Sequence, residues 1–133
     1  MSNTQAIGVA YSDPEFTTCY ASEELGYAAA AQGTVTQAIS KSTAVTLNKS
    51  AGQITLNNAT LNAATNVTFT LNNSTISAKD VVILSVASGA TAGAYNCWVS
   101  GKGTGTCSIT LRNISGGNLS EAVVINFAVI HCL

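Results

Sequence analysis

Hydrophobic and polar residues alternate along much of the chain after residue 33. In residues 66–72, Val67, Phe69 and Leu71 alternate with Asn and Thr, and residues 44–48 and 53–57 show the same pattern. A period of two places alternate side chains on opposite faces of a strand, so it indicates strands with one buried face. The same pattern predicts strands at residues 95–100, 106–113 and 121–130.

One segment departs from alternation. Residues 80–88 are apolar at Val81, Val82, Ile83, Leu84 and Val86. A continuous apolar run of this length is typical of a strand buried on both faces, so the pattern predicts a central strand of a packed sheet.

Short segments rich in Gly, Ser and Asn separate the predicted strands. Residues 49–52 predict a hairpin turn between the first two strands, and residues 101–103 predict another. Seven or eight strands at this spacing, with no helix-sized periodic segment between them, indicate an all-β fold. We expect an antiparallel β-sandwich, jelly-roll-like in topology.

Residues 1–33 lack this pattern and are predicted to be a mostly irregular N-terminal arm, followed by a sandwich domain at residues 34–133. Within the arm, Asp13-Pro14 resembles a turn, and residues 23–31 could form one short helix with Ser22 as its N-cap. The arm carries four acidic residues and no basic one, a charge of −4, whereas the remainder carries +3. It could therefore dock on a basic surface, its own or a neighbour's, or remain solvated.

The chain carries few charges. Charged residues make up 8% of the sequence, against about 25% in typical soluble domains, and the formal net charge is −1. Because charge keeps proteins apart, this surface suggests contacts between copies, and we expect a homo-oligomer, a trimer in the first instance. The five basic residues are scattered, and no apolar run is long enough to span a bilayer. Neither nucleic-acid nor membrane binding is therefore predicted, nor is a secretion signal.

The residues that could support catalysis are sparse. His131 is the single histidine, the only carboxylates after the arm are Asp80 and Glu121, and no GxSxG motif occurs. We expect His131 to be exposed or packed at an interface. Residues 101–106 resemble a phosphate loop but lack its spacing and fit a hairpin better. The sequence predicts no catalytic, cofactor-binding or metal-binding residue and no enzymatic activity.

Four cysteines are present: Cys19, Cys97, Cys107 and Cys132. A hairpin folded about Lys102 would place Cys97 opposite Cys107, at a separation slightly long for a disulfide. Two small apolar core residues are the favoured interpretation, and a bonded pair is the alternative.

Several segments together resemble a family of virion structural proteins of tailed phages that is common in marine viruses. The resemblance extends from Gly33 to Ile130, and its most specific segment is residues 119–130. The carrying segments are GTVTQA (33–38), TLNK (46–49), GQIT (52–55), FTL (69–71), AGAY (92–95), ITLRN (109–113) and LSEAVVINFAVI (119–130). The resemblance implies a capsid or capsid-attached role without catalytic residues, in which Glu121 and Asn126 serve contacts between strands or subunits. The cysteines and the arm do not follow the family pattern.

The sequence-based hypothesis is a viral structural protein that forms or decorates a capsid by symmetric self-assembly. Such a protein would be assembled in the host cytoplasm, would reside in the virion, and would contact other virion proteins. The alternative is a receptor- or carbohydrate-binding module on a phage head or tail fibre, in which Tyr95 and Trp98 stack on sugar. A small hydrolase that depends on His131 is a third possibility.

Overall fold

The computed structural model describes residues 16–132. These residues contain one short 3-10 helix, Ala29–Ala31, and eight strands. The strands are β1 (Gln32–Thr36), β2 (Val45–Thr46), β3 (Ala51–Thr55), β4 (Asn66–Asn72), β5 (Val81–Ser88), β6 (Tyr95–Gly103), β7 (Thr106–Asn113) and β8 (Val124–Ile130).

The strands form two four-stranded sheets. Sheet A has the order β1-β3-β8-β5, and sheet B has the order β2-β4-β7-β6. The alternation of the sequence determines what lies between them: Phe69 and Ile109 face inward from sheet B, and Ile54, Ile125 and Phe127 face inward from sheet A. All five are buried within one hydrophobic cluster. The predicted all-β sandwich is confirmed at this level.

The strand pairing is mixed, whereas the sequence predicted antiparallel sheets. Within residues 16–132, β1 pairs with β3 and β2 pairs with β4 in parallel, and the other four pairings are antiparallel. The hairpin predicted at residues 49–52 is therefore wrong, because β2 belongs to sheet B and β3 to sheet A. Residues 47–50 carry the chain from one sheet to the other.

The β6–β7 hairpin turns two residues later than predicted. Gly103 pairs with Thr106, so the turn is Thr104-Gly105, and Gly105 supplies the positive φ of 76°. Because the turn lies later, Cys97 pairs with Leu111 and Cys107 pairs with Lys102, on either side of a register shift between Val99 and Gly101. The predicted Cys97–Cys107 opposition is wrong, and all four cysteines are free thiols.

Strand β5 is an edge strand of sheet A, not the central strand that its apolar run predicted. Its inward-facing Val82 and Leu84 pack against the core, whereas Val81 and Ile83 are half exposed on the other face. An apolar run shows that both faces of a strand are hydrophobic, but not that both are covered within one chain.

The predicted helix at residues 23–31 is wrong. Residues 16–28 form neither helix nor strand, and only Ala29–Ala31 turn once as a 3-10 helix, without a side-chain cap. A few alanines cannot offset the entropy of nucleating an isolated helix.

Strand β1 begins at Gln32, within the predicted arm, and the predicted Asp13-Pro14 turn lies outside the described residues. Within residues 16–132, none of the helical segments has the length and hydrophobicity of a membrane-spanning helix.

Candidate functional site

Three polar side chains meet at one end of sheet A. Ser50 directly precedes β3, Asp80 directly precedes β5, and His131 directly follows β8. Strand β8 lies between β3 and β5 and is antiparallel to both. The end of β8 therefore meets the beginnings of its two neighbours, and the sheet order places His131 between Ser50 and Asp80.

His131 contacts both of the other side chains, one through each nitrogen of its ring. His131 Nδ1 lies 3.0 Å from Asp80 Oδ2, and His131 Nε2 lies 3.4 Å from Ser50 Oγ. Asp80 is buried, Ser50 is half buried, and the His131 side chain retains 43% of its exposure. A hydroxyl, an imidazole and a carboxylate are thus arranged in the order that nucleophilic catalysis requires.

Local hydrogen bonds hold the Asp80 carboxylate. Its two oxygens accept the backbone N–H groups of Ser77 (2.8 Å) and Cys132 (2.9 Å) and the Ser77 hydroxyl (2.8 Å). The two backbone donors, followed by the Ser77 hydroxyl and the His131 ring, hold the pKa of Asp80 well below its usual range despite burial. Asp80 is therefore a carboxylate, not a carboxylic acid, at neutral pH.

The charge of Asp80 determines the tautomer of His131. A carboxylate only accepts hydrogen bonds, so the Nδ1 atom of His131 must carry the proton at this contact. In a neutral ring the Nε2 atom then presents its lone pair toward Ser50, and the Ser50 hydroxyl can donate to it. The arrangement can accept a proton from the serine.

The backbone on both sides of Ser50 is held in place. The Nδ2 atom of buried Asn73 donates to the Lys49 carbonyl at 2.7 Å, and the Ser50 carbonyl accepts the Val129 N–H at 2.8 Å. Side chains that must react need such fixed supports, because small displacements weaken catalysis strongly. Ser50 is therefore positioned by both sheet B and sheet A.

An open apolar groove of about 490 Å³ adjoins the cluster of Ser50, His131 and Asp80, and His131 alone of the three lines it. It lies between the end of the arm and the end of β8, and His131 forms part of its wall. The Tyr27 hydroxyl donates to the Val129 carbonyl and fixes the arm against β8. The remaining lining is Leu25, Gly26, Ala128 and Ile130, so the groove offers hydrocarbon contacts next to the imidazole.

The sequence pattern assigned Ser50 to a turn and gave no reason to place His131 next to Asp80. The convergence of the three residues was therefore not predicted. His131 was expected to be exposed or at an interface; it is part exposed and bonded to Asp80. The one sequence signal is that each residue borders a strand, but this becomes informative only once the strand order is known. Among residues 16–132, no group of three or more His, Cys, Asp or Glu could hold a metal ion.

Asp80 and Glu121, the two carboxylates outside the arm, lie far apart. They precede β5 and β8, and these strands are antiparallel, so the carboxylates occupy opposite ends of sheet A. Glu121 accepts the Thr91 hydroxyl at 2.7 Å and its N–H at 3.1 Å, and these bonds lower the pKa of Glu121. It fastens the loop between β5 and β6.

Tyr95 and Trp98, the residues of the carbohydrate-binding alternative, point to opposite faces of β6. Tyr95 packs against the core, and its burial, with Glu121 nearby, raises its pKa to about 12. Trp98 pairs with Thr110 on the outer face of sheet B. The two rings do not form one stacking surface.

Asn126 lies on the outer face of sheet A opposite Gln53 and Ser85.

We expect the cluster to make the fold sensitive to acid. The folded-state pKa of Asp80 is depressed, so its stabilisation is complete above the unfolded value of about 3.9 and is lost as pH falls below it. Denaturant titrations should show a free energy of unfolding that is level above about pH 5 and falls below about pH 4. Asp80→Asn should reduce this slope, whereas Glu23→Gln, in the exposed arm, should leave it unchanged. Equal slopes in Asp80→Asn and the unmodified chain would contradict the assignment.

No protein-family model matches the chain, and neither a curated protein nor a solved structure is significantly similar to it.

Proposed function

We propose that this chain is a structural protein of a virus particle, which forms or decorates the capsid by symmetric self-assembly. One observation carries the proposal. Every residue from 16 to 30 is exposed, and the arm presents large apolar side chains to solvent, with Phe16 at 67% and Tyr20 at 91% exposure. Exposed apolar segments of this kind mark sites of protein–protein contact.

The outer face of β5 offers a surface that could receive such an arm. Val81, Ile83 and Val86 are between 38% and 51% exposed, and β5 is an edge strand without Lys or Pro to discourage pairing. The exposed Lys79 lies two residues before Val81, and Glu23 and Glu24 lie in the arm. The two surfaces therefore match in hydrophobicity and in charge, and we place the arm of one copy on the β5 face of a neighbour.

Several finer features belong to this proposal. They are the tailed-phage family, the location in the virion after assembly in the host cytoplasm, the contacts with other virion proteins, and a trimeric state. The resemblance of residues 33–130 supports the first, and a low charge of 8% supports self-association. A jelly-roll topology is supported by the two four-stranded sheets but not by the parallel β1–β3 and β2–β4 pairs. A structural role of this kind requires neither a catalytic residue nor a cofactor.

The test is the assembly state of a variant with a polar arm. We expect the unmodified chain to elute as an oligomer in size-exclusion chromatography with light scattering, and the Phe16→Ser/Tyr20→Ser variant to elute as a monomer. Ile39→Ser/Ile114→Ser is the matched control, because both isoleucines are exposed outside the arm and β5. A monomeric unmodified chain, or an oligomer that the arm variant leaves intact, would exclude the proposal.

The carbohydrate-binding alternative now rests on Trp98 alone. The ring lies on the outer face of sheet B near hydroxyl groups of Thr68, Ser100 and Thr110, which are linked at 2.7 and 2.8 Å. An aromatic ring beside hydroxyl groups suits a sugar. Binding of a glycan by the unmodified chain, lost in Trp98→Ala, would favour this alternative over assembly.

A further inference from the structure

We propose that Ser50, His131 and Asp80 form an acyl-transfer site that cleaves esters of small apolar acids. This activity goes beyond the structural role and does not depend on it. The proposal rests on two independent features: the line of contacts from carboxylate to imidazole to hydroxyl, and the apolar groove whose wall includes the same imidazole.

The first step would acylate the serine. Ser50 Oγ attacks the carbonyl carbon of the ester, and its proton moves to His131 Nε2. The bond between the carbonyl carbon and the alkoxy oxygen then breaks, and the departing alcohol takes the proton from Nε2. The products of this step are an acyl ester on Ser50 and the free alcohol.

The second step restores the serine. A water molecule loses its proton to Nε2 and attacks the acyl carbonyl carbon, and the bond to Ser50 Oγ breaks. Oγ recovers the proton from Nε2, and the carboxylic acid departs. Water is the only co-reactant, no group is oxidised or reduced, and His131 ends the cycle with the same protons as at its start.

The groove indicates the class of acid. Its lining is mostly hydrocarbon, from Leu25, Ala128 and Ile130, and no Lys or Arg is among the lining residues. Short alkyl chains would lose water-exposed surface there, whereas a charged acyl group would find no partner. The open side of the groove leaves room for a leaving alcohol of variable size.

Asp80 is a positioning residue in this scheme. It is buried, it does not face the groove, and it acts through Nδ1 of His131. Its bonds to Ser77 and Cys132 fix the carboxylate, and the carboxylate in turn fixes the ring and stabilises the imidazolium formed during each step.

Covalent labelling tests the nucleophile. The purified chain would be incubated with p-nitrophenyl butyrate, with release of p-nitrophenolate followed by absorbance, and with an alkyl fluorophosphonate, with the adduct located by peptide mass spectrometry. We expect one fluorophosphonate adduct, on Ser50, and ester cleavage that Ser50→Ala and His131→Gln each reduce at least about tenfold. Ser74→Ala, an exposed serine outside the cluster, should change neither result.

The split between kcat and KM separates positioning from folding. In Asp80→Asn, kcat should fall at least about tenfold while KM changes little, because the ring is no longer held with Nε2 toward Ser50. Ser50→Ala and His131→Gln change side chains that are not fully buried, and circular dichroism should show an unchanged fold. No adduct on Ser50, adducts spread over several serines, or cleavage unaffected by His131→Gln would each overturn the site.

The arm variant makes the two proposals separable. Phe16→Ser/Tyr20→Ser leaves the cluster and the groove lining unchanged, so labelling of Ser50 should persist there whether or not the chain assembles. Loss of assembly without loss of labelling would confirm that each surface acts on its own. If the unmodified chain is a monomer and is labelled on Ser50, the acyl-transfer proposal stands and the structural role is excluded.

Discussion

Replacing Ile109 by alanine is expected to lower the free energy of unfolding by about 2–5 kcal/mol, the usual effect of such a truncation in a core. Ile109 is fully buried in the middle of β7 and pairs with Phe69 on one side and Val99 on the other. Because β7 is an inner strand of sheet B and faces sheet A, the cavity would open at the centre of the core, where neighbours cannot easily collapse into it.

The matched control is Ile39→Ala. Ile39 is 81% exposed, so its truncation removes atoms that are already in contact with water. The free energy of unfolding should change by no more than about 0.5 kcal/mol. Urea denaturation followed by tryptophan fluorescence gives both values. For a domain with a total stability of about 5–15 kcal/mol, Ile109→Ala should also lower Tm by roughly 10 °C. Equal effects of the two substitutions would contradict the placement of the core.

Asn113→Ala should have the second-largest effect, about 3 kcal/mol, through hydrogen bonds and not through hydrophobic burial. Asn113 is fully buried at the end of β7. Its Nδ2 group donates to the carbonyls of Leu61 (3.0 Å) and Gly117 (2.7 Å), and its Oδ1 accepts the N–H and hydroxyl of Ser115. Alanine would leave several of these polar groups without partners in a water-poor environment.

The substitution should act locally as well as globally. The Asn113 side chain joins residues 115–117 to the segment at Leu61, so amide hydrogen exchange should increase first in these two loops. Asn96→Ala, on the exposed face of β6, is the control and should change stability by no more than about 0.5 kcal/mol. Equal changes in the free energy of unfolding for Asn113→Ala and Asn96→Ala would show that the hydrogen bonds of Asn113 do not stabilise the fold.

Local pattern was a good guide to which segments become strands and which side chains enter the core. Phe69, Ile109 and Leu111 each alternate with polar neighbours in the sequence and are buried. The pattern succeeded because alternation is a property of a few consecutive residues, and the pleat of a strand converts it directly into an inner and an outer face. It failed for β5, because its two apolar faces do not reveal that the strand lies at an edge.

Turn position depended on more than local pattern. The glycines at residues 101 and 103 suggested a turn about Lys102, but both pair with β7, and the turn lies at Thr104-Gly105, where Gly105 supplies the positive φ. The later turn removed the expected opposition of Cys97 and Cys107, although both side chains still face the core.

The sequence by itself determined the β-class of this protein, its core residues and the weak charge of its surface, since each follows from composition or from neighbours along the chain. Only the tertiary structure decided the strand order, the exposed β5 face and the meeting of Ser50, Asp80 and His131. Ser50 and His131 are 81 positions apart, and Asp80 and His131 are 51 apart. Their contact arises because β8 lies between β3 and β5, an order that depends on packing among distant segments and leaves no periodic trace in the sequence.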